Sequence, residues 1–360
     1  MESAPNEQPR TAANARLKRA VRTAVRALPY RFRERVARLM LSATADAGSP
    51  GGHGERSHGD YAELVRQAVR VPFETWEAHG WHLTPNHFYS PIPDTRILPD
   101  TLWQRESDLP GIDMRDEEQV AFLRDVTDRF GDELNAIPRG QADAAAGEYF
   151  VDNGAFESVD GEIYYAMIRA HRPARVLEIG AGWSTLLALR ALRANRADGA
   201  EGRLLSVEPY PREYVRAAIG REPEVAELRD LPVQELPLDV FESLGAGDIL
   251  FIDSSHVLRI GSDVQYEILE ILPRLQAGVL VHVHDVFLPG EYPKEWVLGP
   301  EHRFWNEQYL LQAYLADNPR SAVVWGSSWM HRRHPEDLEK AFTSYDRQSR
   351  FPGSFWFRRT

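Results

Sequence analysis

Cysteine is absent from this chain of 360 residues. That excludes disulfides, thiolate metal sites, iron–sulfur clusters and a cysteine nucleophile. Lysine occurs only at Lys18, Lys294 and Lys340, and every other basic residue is arginine. Apolar runs are short. None approaches the ~18 residues that argue for a membrane-spanning helix, and the first residues lack the apolar core of a secretory signal. A soluble, cytoplasmic protein is the expectation. Positive charge is also scarce: 42 Lys and Arg stand against 54 Asp and Glu, a formal net charge of −12. Wrapping of nucleic acid needs a broad basic face, so no nucleic-acid partner is expected. No internal repeat is visible. What remains is 43% hydrophobic and 27% charged, an ordinary globular composition able to bury a core.

The charge is uneven. Residues 1–40 hold ten basic and three acidic residues, so the rest of the chain is more acidic than the total suggests. Leu17, Val21, Ala24, Val25 and Leu28 share one face of a helical pattern, with Lys18, Arg19, Arg22 and Arg26 around it. Such a helix can touch an anionic surface or partner. Packing on its own domain, or on a neighbouring subunit of a homo-oligomer, is the preferred reading. Residues 43–60 are rich in Gly, Ser, Ala and Asp and read as a flexible linker. Three parts are therefore expected: a basic helix and linker over 1–60, a helical and lid region over 61–150, and a main domain over 151–360. The middle part has amphipathic stretches near 60–70 and 115–137. Between them lies an aromatic and proline-rich run, residues 81–100, that cannot be regular helix.

From about residue 160 strand and helix patterns alternate. Strands are expected at 174–180, 202–209, weakly at 225–230, at 248–256 and at 278–287, with helices between them, the one before the last of these strands running through 263–275. A helix near 303–317 and two last strands, SAVVWG and SFWFRR, follow. The alternation predicts an α/β fold, a parallel sheet with helices on both faces. The changed rhythm at the end predicts one antiparallel strand at the sheet edge.

The run VLEIGAGWST, residues 176–185, carries the chemistry. A strand enters a turn at Gly180 and Gly182, and a helix starts at Ser184 and Thr185. Glycines let backbone amides approach a ligand, and a helix N-terminus favours negative or polar groups. A dinucleotide fingerprint would have a third Gly where Thr185 stands. Three acids accompany the turn: Glu178 before it, Glu208 at the end of the next strand, and Asp253 at the end of the fourth.

This set, E-x-G-x-G followed by a strand-end Glu and a strand-end Asp, resembles the class I S-adenosylmethionine-dependent methyltransferases over residues 150–360. The resemblance implies a Rossmann-like seven-stranded methyltransferase sheet, with residues before 151 as a mostly helical and loop extension. It implies S-adenosylmethionine as cofactor. Gly180, Gly182 and Ser184 would lie under its methionine part, and Glu178 near its amino group. Glu208 would hold the ribose, and Val233 and Gln234 would border adenine. In a doubly wound sheet all these positions lie beyond the carboxyl ends of the strands, where ligands bind.

Two strand ends converge there, Asp253-Ser254-Ser255-His256 and His282-Val283-His284-Asp285. Alternation puts His282 and His284 on one face. His282 lies deeper, and a structural role is expected for it. The pattern resembles the metal-dependent O-methyltransferases of the catechol, antibiotic-sugar and cephalosporin hydroxylase-like types. Carried over by position, Asp253, His284 and Asp285 would hold a divalent cation and His256 would be the base, with Asp253 beside it. His284 stands where a carboxylate is usual, and a mixed set suits manganese, iron or zinc better than magnesium. Two alternatives stand beside it: His256 as the sole base with no metal, or His284 and Asp285 as a purely structural hydrogen-bonded pair that orders the strand end.

His87, Tyr89, Ser90 and Asp94 in HFYSPIPD are hard to explain as core. They read either as a lid over cofactor and substrate or as a domain interface. Phe156, Asp160 and Tyr164 are candidates to face the pocket, and residues 291–296 are a second lid candidate. The expected function is SN2 methyl transfer to an oxygen of a small molecule, such as a natural product or sugar. The rivals are metal-dependent oxidation or cyclisation on the same fold, an NAD-dependent oxidoreductase, and a non-catalytic regulator. A nucleic-acid methyltransferase is disfavoured because the fourth strand lacks the Asn/Asp-Pro-Pro-Tyr type of segment.

Overall fold

The structure is a computed structural model and describes residues 70–360. The expected basic helix, the linker and most of the 60–70 stretch lie outside the described residues. The chain divides into two units at Asp94/Thr95. The first unit contributes α1 (Phe73–Ala78) and a run without regular helix or strand through Asp94, as its prolines demand.

The second unit, from Thr95, begins with two short 3₁₀ turns and α2 (Asp116–Asn135). The buried residues of α2 are Gln119, Leu123, Val126, Phe130 and Leu134, a stripe at helical spacing. Next come α3 (Asp160–His171), β1 (Arg175–Ile179), α4 (Trp183–Ala197), β2 (Arg203–Val207), α5 (Glu213–Gly220) and β3 (Ala226–Arg229). The chain continues through α6 (Leu238–Glu242), β4 (Ile249–Ile252), α7 (Asp263–Tyr266) and β5 (Leu280–Val283). It ends with α8 (Lys294–Leu298), α9 (Glu307–Leu315), β6 (Ser321–Gly326), α10 (Ser327–Arg333), α11 (Pro335–Ala341) and β7 (Phe355–Arg359). The contact boundary lies well before residue 150, and α2 packs on α3 and α11 as part of this unit.

The seven strands form one sheet in the order β3-β2-β1-β4-β5-β7-β6. The first five in that order are parallel, and β7 is antiparallel to both neighbours. The reversed strand is therefore inside the sheet and β6 forms the edge, which corrects the expectation of an antiparallel edge. Phe355, Trp356 and Phe357 are buried on both faces, so β7 has the apolar content of an interior strand.

Side-chain alternation builds two cores. Ile249, Phe251, Leu280 and Trp356 join the core under α2, α3 and α4. Leu177, Ile179, Leu250, Ile252, Val281, Val283, Phe355 and Phe357 join the core on the other face, with Val264, Ile268 and Leu311. Helices on both faces follow directly from strands that are apolar on both sides. The helix expected through residues 263–275 is broken up. After α7 come a π-helical turn (Glu267–Ile271) and a 3₁₀ turn (Leu272–Arg274). Pro273 lacks an amide hydrogen, so a regular ladder cannot pass through it.

Candidate active site

The sheet order runs outward from β1 on one side and from β4 on the other, so β1 and β4 flank the switch point where ligands bind in such sheets. Gly180 ends β1 with φ +86°. A Cβ there would lie 1.8 Å from the carbonyl oxygen of Asp253. Glycine at 180 is thus required by the protein's own backbone. At Gly182 a Cβ would meet nothing nearer than the Tyr214 hydroxyl at 3.9 Å. Room exists there that the fold does not use.

Glu178 is fully buried behind this turn. Its carboxylate accepts hydrogen bonds from the hydroxyls of Ser184 (2.7 Å), Thr185 (2.7 Å) and Ser206 (2.6 Å). The Thr185 hydroxyl in turn accepts the Gly182 amide at 3.0 Å. Glu178 therefore ties the start of α4 to β1 and β2 and sets the path of the turn. Burial pushes its pKa up to about 7, against the three hydroxyl donors. Glu208 follows β2; it accepts the Tyr210 amide at 2.7 Å and lies 3.5 Å from the Ala181 amide. Gln234, in the 3₁₀ turn Val233–Glu235, donates to the Gly261 carbonyl at 3.1 Å.

The β4 and β5 ends do converge. The Nε2 of His256 lies 3.3 Å from Asp253 Oδ1 and 3.7 Å from Asp285 Oδ2, and its Nδ1 lies 2.9 Å from Glu307 Oε2. His284 Nε2 is 3.6 Å from Asp285 Oδ1. His256 (φ +60°) and Asp285 (φ +55°) both adopt left-handed backbone, a conformation that non-glycine residues take at a cost and that clusters at functional sites. That turn after β5 lets Asp285 face His256. Of the four, Asp253 is the most open, with 31% of its side chain exposed against 7% for His256.

Charge is distributed accordingly. Burial opposes a charge on His256, but its hydrogen bonds with Asp253 and Glu307 and the charge of Asp285 outweigh it, holding the pKa well above the ordinary value. Burial would raise Asp253, yet His284 and His256 bring it down to about 2. Asp285 is raised by burial despite the two histidines. His284 is raised against burial by Asp285 and Asp253. The carboxylates around His256 thus favour the charged form of its ring over what burial alone would allow.

Among the described residues no three His or carboxylate groups come together so as to hold a metal ion. The imidazole of His256 stands between Asp253 and Asp285, 3.3 and 3.7 Å from their carboxylates. A divalent cation held by Asp253, His284 and Asp285 therefore finds no support in this arrangement.

His282 has a structural role, as its depth suggested. It is fully buried, stacks on Phe251 at 4.1 Å and reaches the Ser354 hydroxyl at 2.8 Å; burial, then His284, lowers its pKa well below the ordinary value. Phe156 packs edge-on against His284 at 5.0 Å, and Tyr164 packs on Phe251. Asp160 is a fastener: its carboxylate accepts the amides of Gly353 (2.8 Å) and Ser354 (2.9 Å). His87, Tyr89, Ser90 and Asp94 belong to the first unit. There the Tyr89 amide donates to His87 Nδ1 at 3.1 Å and the Ile92 amide to Ser90 Oγ at 3.2 Å.

Three residues went unsuspected. Glu307 reads in sequence as a surface acid at the start of an amphipathic helix, yet it is buried against His256. Trp305 lies on the His256 ring at 4.3 Å. Ser206 sits mid-strand with nothing in its spacing to mark it, and only the depth of Glu178 gives it meaning.

A model of a methyltransferase domain family matches residues 177–286, from β1 to just past β5. An uncharacterised protein of Archaeoglobus fulgidus is 36% identical over 165 residues, 44% of this chain and 72% of that protein. Among solved structures, an O-methyltransferase from Bacillus cereus in complex with S-adenosylhomocysteine is similar at 18% identity, over 67% of this chain and 91% of that one, with a TM-score of 0.34. A 1,6-didemethyltoxoflavin-N1-methyltransferase from Burkholderia thailandensis is similar at 16% identity, over 71% and 94%, with a TM-score of 0.33. The domain match contains the glycine turn, Glu208 and both strand ends. That match makes residues 177–286 a methyltransferase domain, and the seven-stranded sheet it rides on is consistent with the class I S-adenosylmethionine-dependent type.

Proposed function

We propose that the enzyme transfers the methyl group of S-adenosylmethionine to a hydroxyl oxygen of a small molecule, without a metal-bound step. The observation that carries this is the cluster of Asp253, His256 and Asp285 at the ends of β4 and β5, beside the turn at Gly180. In this reading the cofactor lies over Gly182, where a side chain is missing and the fold leaves room. Ser184 and Glu178 shape the turn beneath its methionine part, Glu208 takes the ribose hydroxyls, and Val233 and Gln234 border adenine.

The acceptor hydroxyl meets the cluster at its open side, Asp253. The oxygen forms a bond to the methyl carbon as the bond from that carbon to sulfur breaks, giving S-adenosylhomocysteine. The proton of the hydroxyl passes into the Asp253–His256–Asp285 cluster, whose members titrate as a unit. Such proton removal contributes typically ~10²–10⁴-fold.

The test is a screen of hydroxylated small molecules with S-adenosylmethionine, reading S-adenosylhomocysteine release and the product's mass. Acceptor-dependent release with an O-methylated product is expected. Asp285→Asn should lose turnover while still binding S-adenosylhomocysteine by calorimetry. N-methylated products, or full turnover in the variant, would overturn the reading.

A further inference from the structure

His256 is gripped at several points by one short stretch of chain, residues 305–307. Trp305 lies against the imidazole, ring centroids 4.3 Å apart. The amides of Asn306 and Glu307 both donate to the carbonyl of His256, at 3.1 and 3.2 Å. The side chain of Asn306 accepts the Leu258 amide at 2.6 Å. Glu307 Oε2 takes the ring's Nδ1 at 2.9 Å. Trp305 is itself braced: the Arg303 guanidinium lies 5.0 Å from its ring centre and the Trp296 ring meets it edge-on at 5.2 Å. Each part of His256 that a rotation would move, the ring face, the carbonyl and Nδ1, thus has its own partner in three consecutive residues.

We infer that Trp305, Asn306 and Glu307 form the positioning element for His256, and that Glu307 fixes a proton on Nδ1 so that Nε2 faces Asp253 and Asp285. A His256 in left-handed backbone needs such over-determination to persist. The ring nitrogen that faces the reaction is set by the hydrogen bond that the other one makes. Glu307 is buried and the helix it begins, α9, packs in the core, so its carboxylate has no freedom to release the ring. The catalytic meaning of this element rests on the proposed reading above; the geometry does not.

The test is therefore spectroscopic. Full-length protein with ¹⁵N-labelled histidine is observed by two-bond proton–nitrogen correlation, and the His256 signals are assigned by their loss in His256→Gln. In the wild type Nδ1 is expected to carry a proton, with S-adenosylhomocysteine present or absent. Glu307→Gln can still accept through its amide oxygen and should keep that proton. Glu307→Ala should lose the wild-type Nδ1 signal while binding S-adenosylhomocysteine with affinity within about twofold. With an acceptor from the screen, kcat of Glu307→Ala should fall by a large part of the ~10²–10⁴-fold that proton transfer supplies, with partial rescue in Glu307→Gln. An unprotonated Nδ1 in the wild type would overturn the inference without any variant. So would unchanged His256 signals in Glu307→Ala. Normal spectra with no methyl transfer in any screen would instead fail the proposed function and leave the positioning element standing.

Discussion

Gly180 and Gly182 occupy the same motif but answer to different demands. A methyl at 180 collides with the Asp253 carbonyl, while one at 182 meets open space. Gly180→Ala should therefore fail to fold or melt far below the wild type. Gly182→Ala should melt within about a degree of it and lose S-adenosylhomocysteine affinity tenfold or more, as calorimetry would show. Equal stability of the two variants would sink this division. Glu178 makes a second prediction. Its folded pKa, about 7, lies above the ordinary 4.5. The native state then holds a proton that the unfolded state has given up, so stability from this group is full at low pH and falls as pH rises from about 4.5 through about 7. The fall is on the order of 3 kcal/mol. Glu178→Gln stays neutral, so its melting temperature minus that of the wild type should climb across this window and then level off. A flat difference would mean that the fold holds Glu178 ionised throughout. Sequence alone marked both glycines and the acid, because the motif is contiguous. It could not mark Ser206 or Glu307, whose partners lie 28 and 51 residues away.

Elements were legible where a period was clean. The central strands and α2 stand where their patterns put them, because burial on two faces or on one stripe leaves its mark directly in the chain. The segment 263–274 was misread as one helix because its apolar spacing is helical, and the effect of Pro273 on the ladder before it outweighed the pattern. The order of the last two strands was beyond reach: SAVVWG and SFWFRR are both apolar, and nothing local says which lies inside. What helps to hold β7 in place is visible only in the fold. Asp160, at the first position of α3, accepts the two amides just before β7. Asp160→Ala leaves both buried and unpaired, and should cost roughly 2–4 kcal/mol in urea denaturation. A loss under 0.5 kcal/mol would show that these amides find other partners.

Across the whole molecule the acidic balance sits easily with an enzyme that binds a cofactor in a cleft. Among the described residues no helix is long and apolar enough to cross a membrane. A ligand that binds only the native state stabilises it by mass action, about 2.7 kcal/mol at a hundredfold excess over Kd. S-adenosylhomocysteine at that excess should raise the melting temperature by several degrees, and NAD should leave it unchanged. A shift with NAD alone would revive the dinucleotide reading that the Thr185 position argues against.

The place of β7 also bears on how the protein is born. The ribosome delivers residues 355–359 after every other strand of the sheet. Until they emerge, β6 has no sheet neighbour among the described residues and β5 presents a bare edge to whatever else is nearby. Unpaired edges of this kind invite wrong partners during synthesis. A nascent chain stalled before residue 355 would hold a nearly finished cofactor cleft beside an open seam, and its fate would depend on whether a chaperone reached the seam before another chain did.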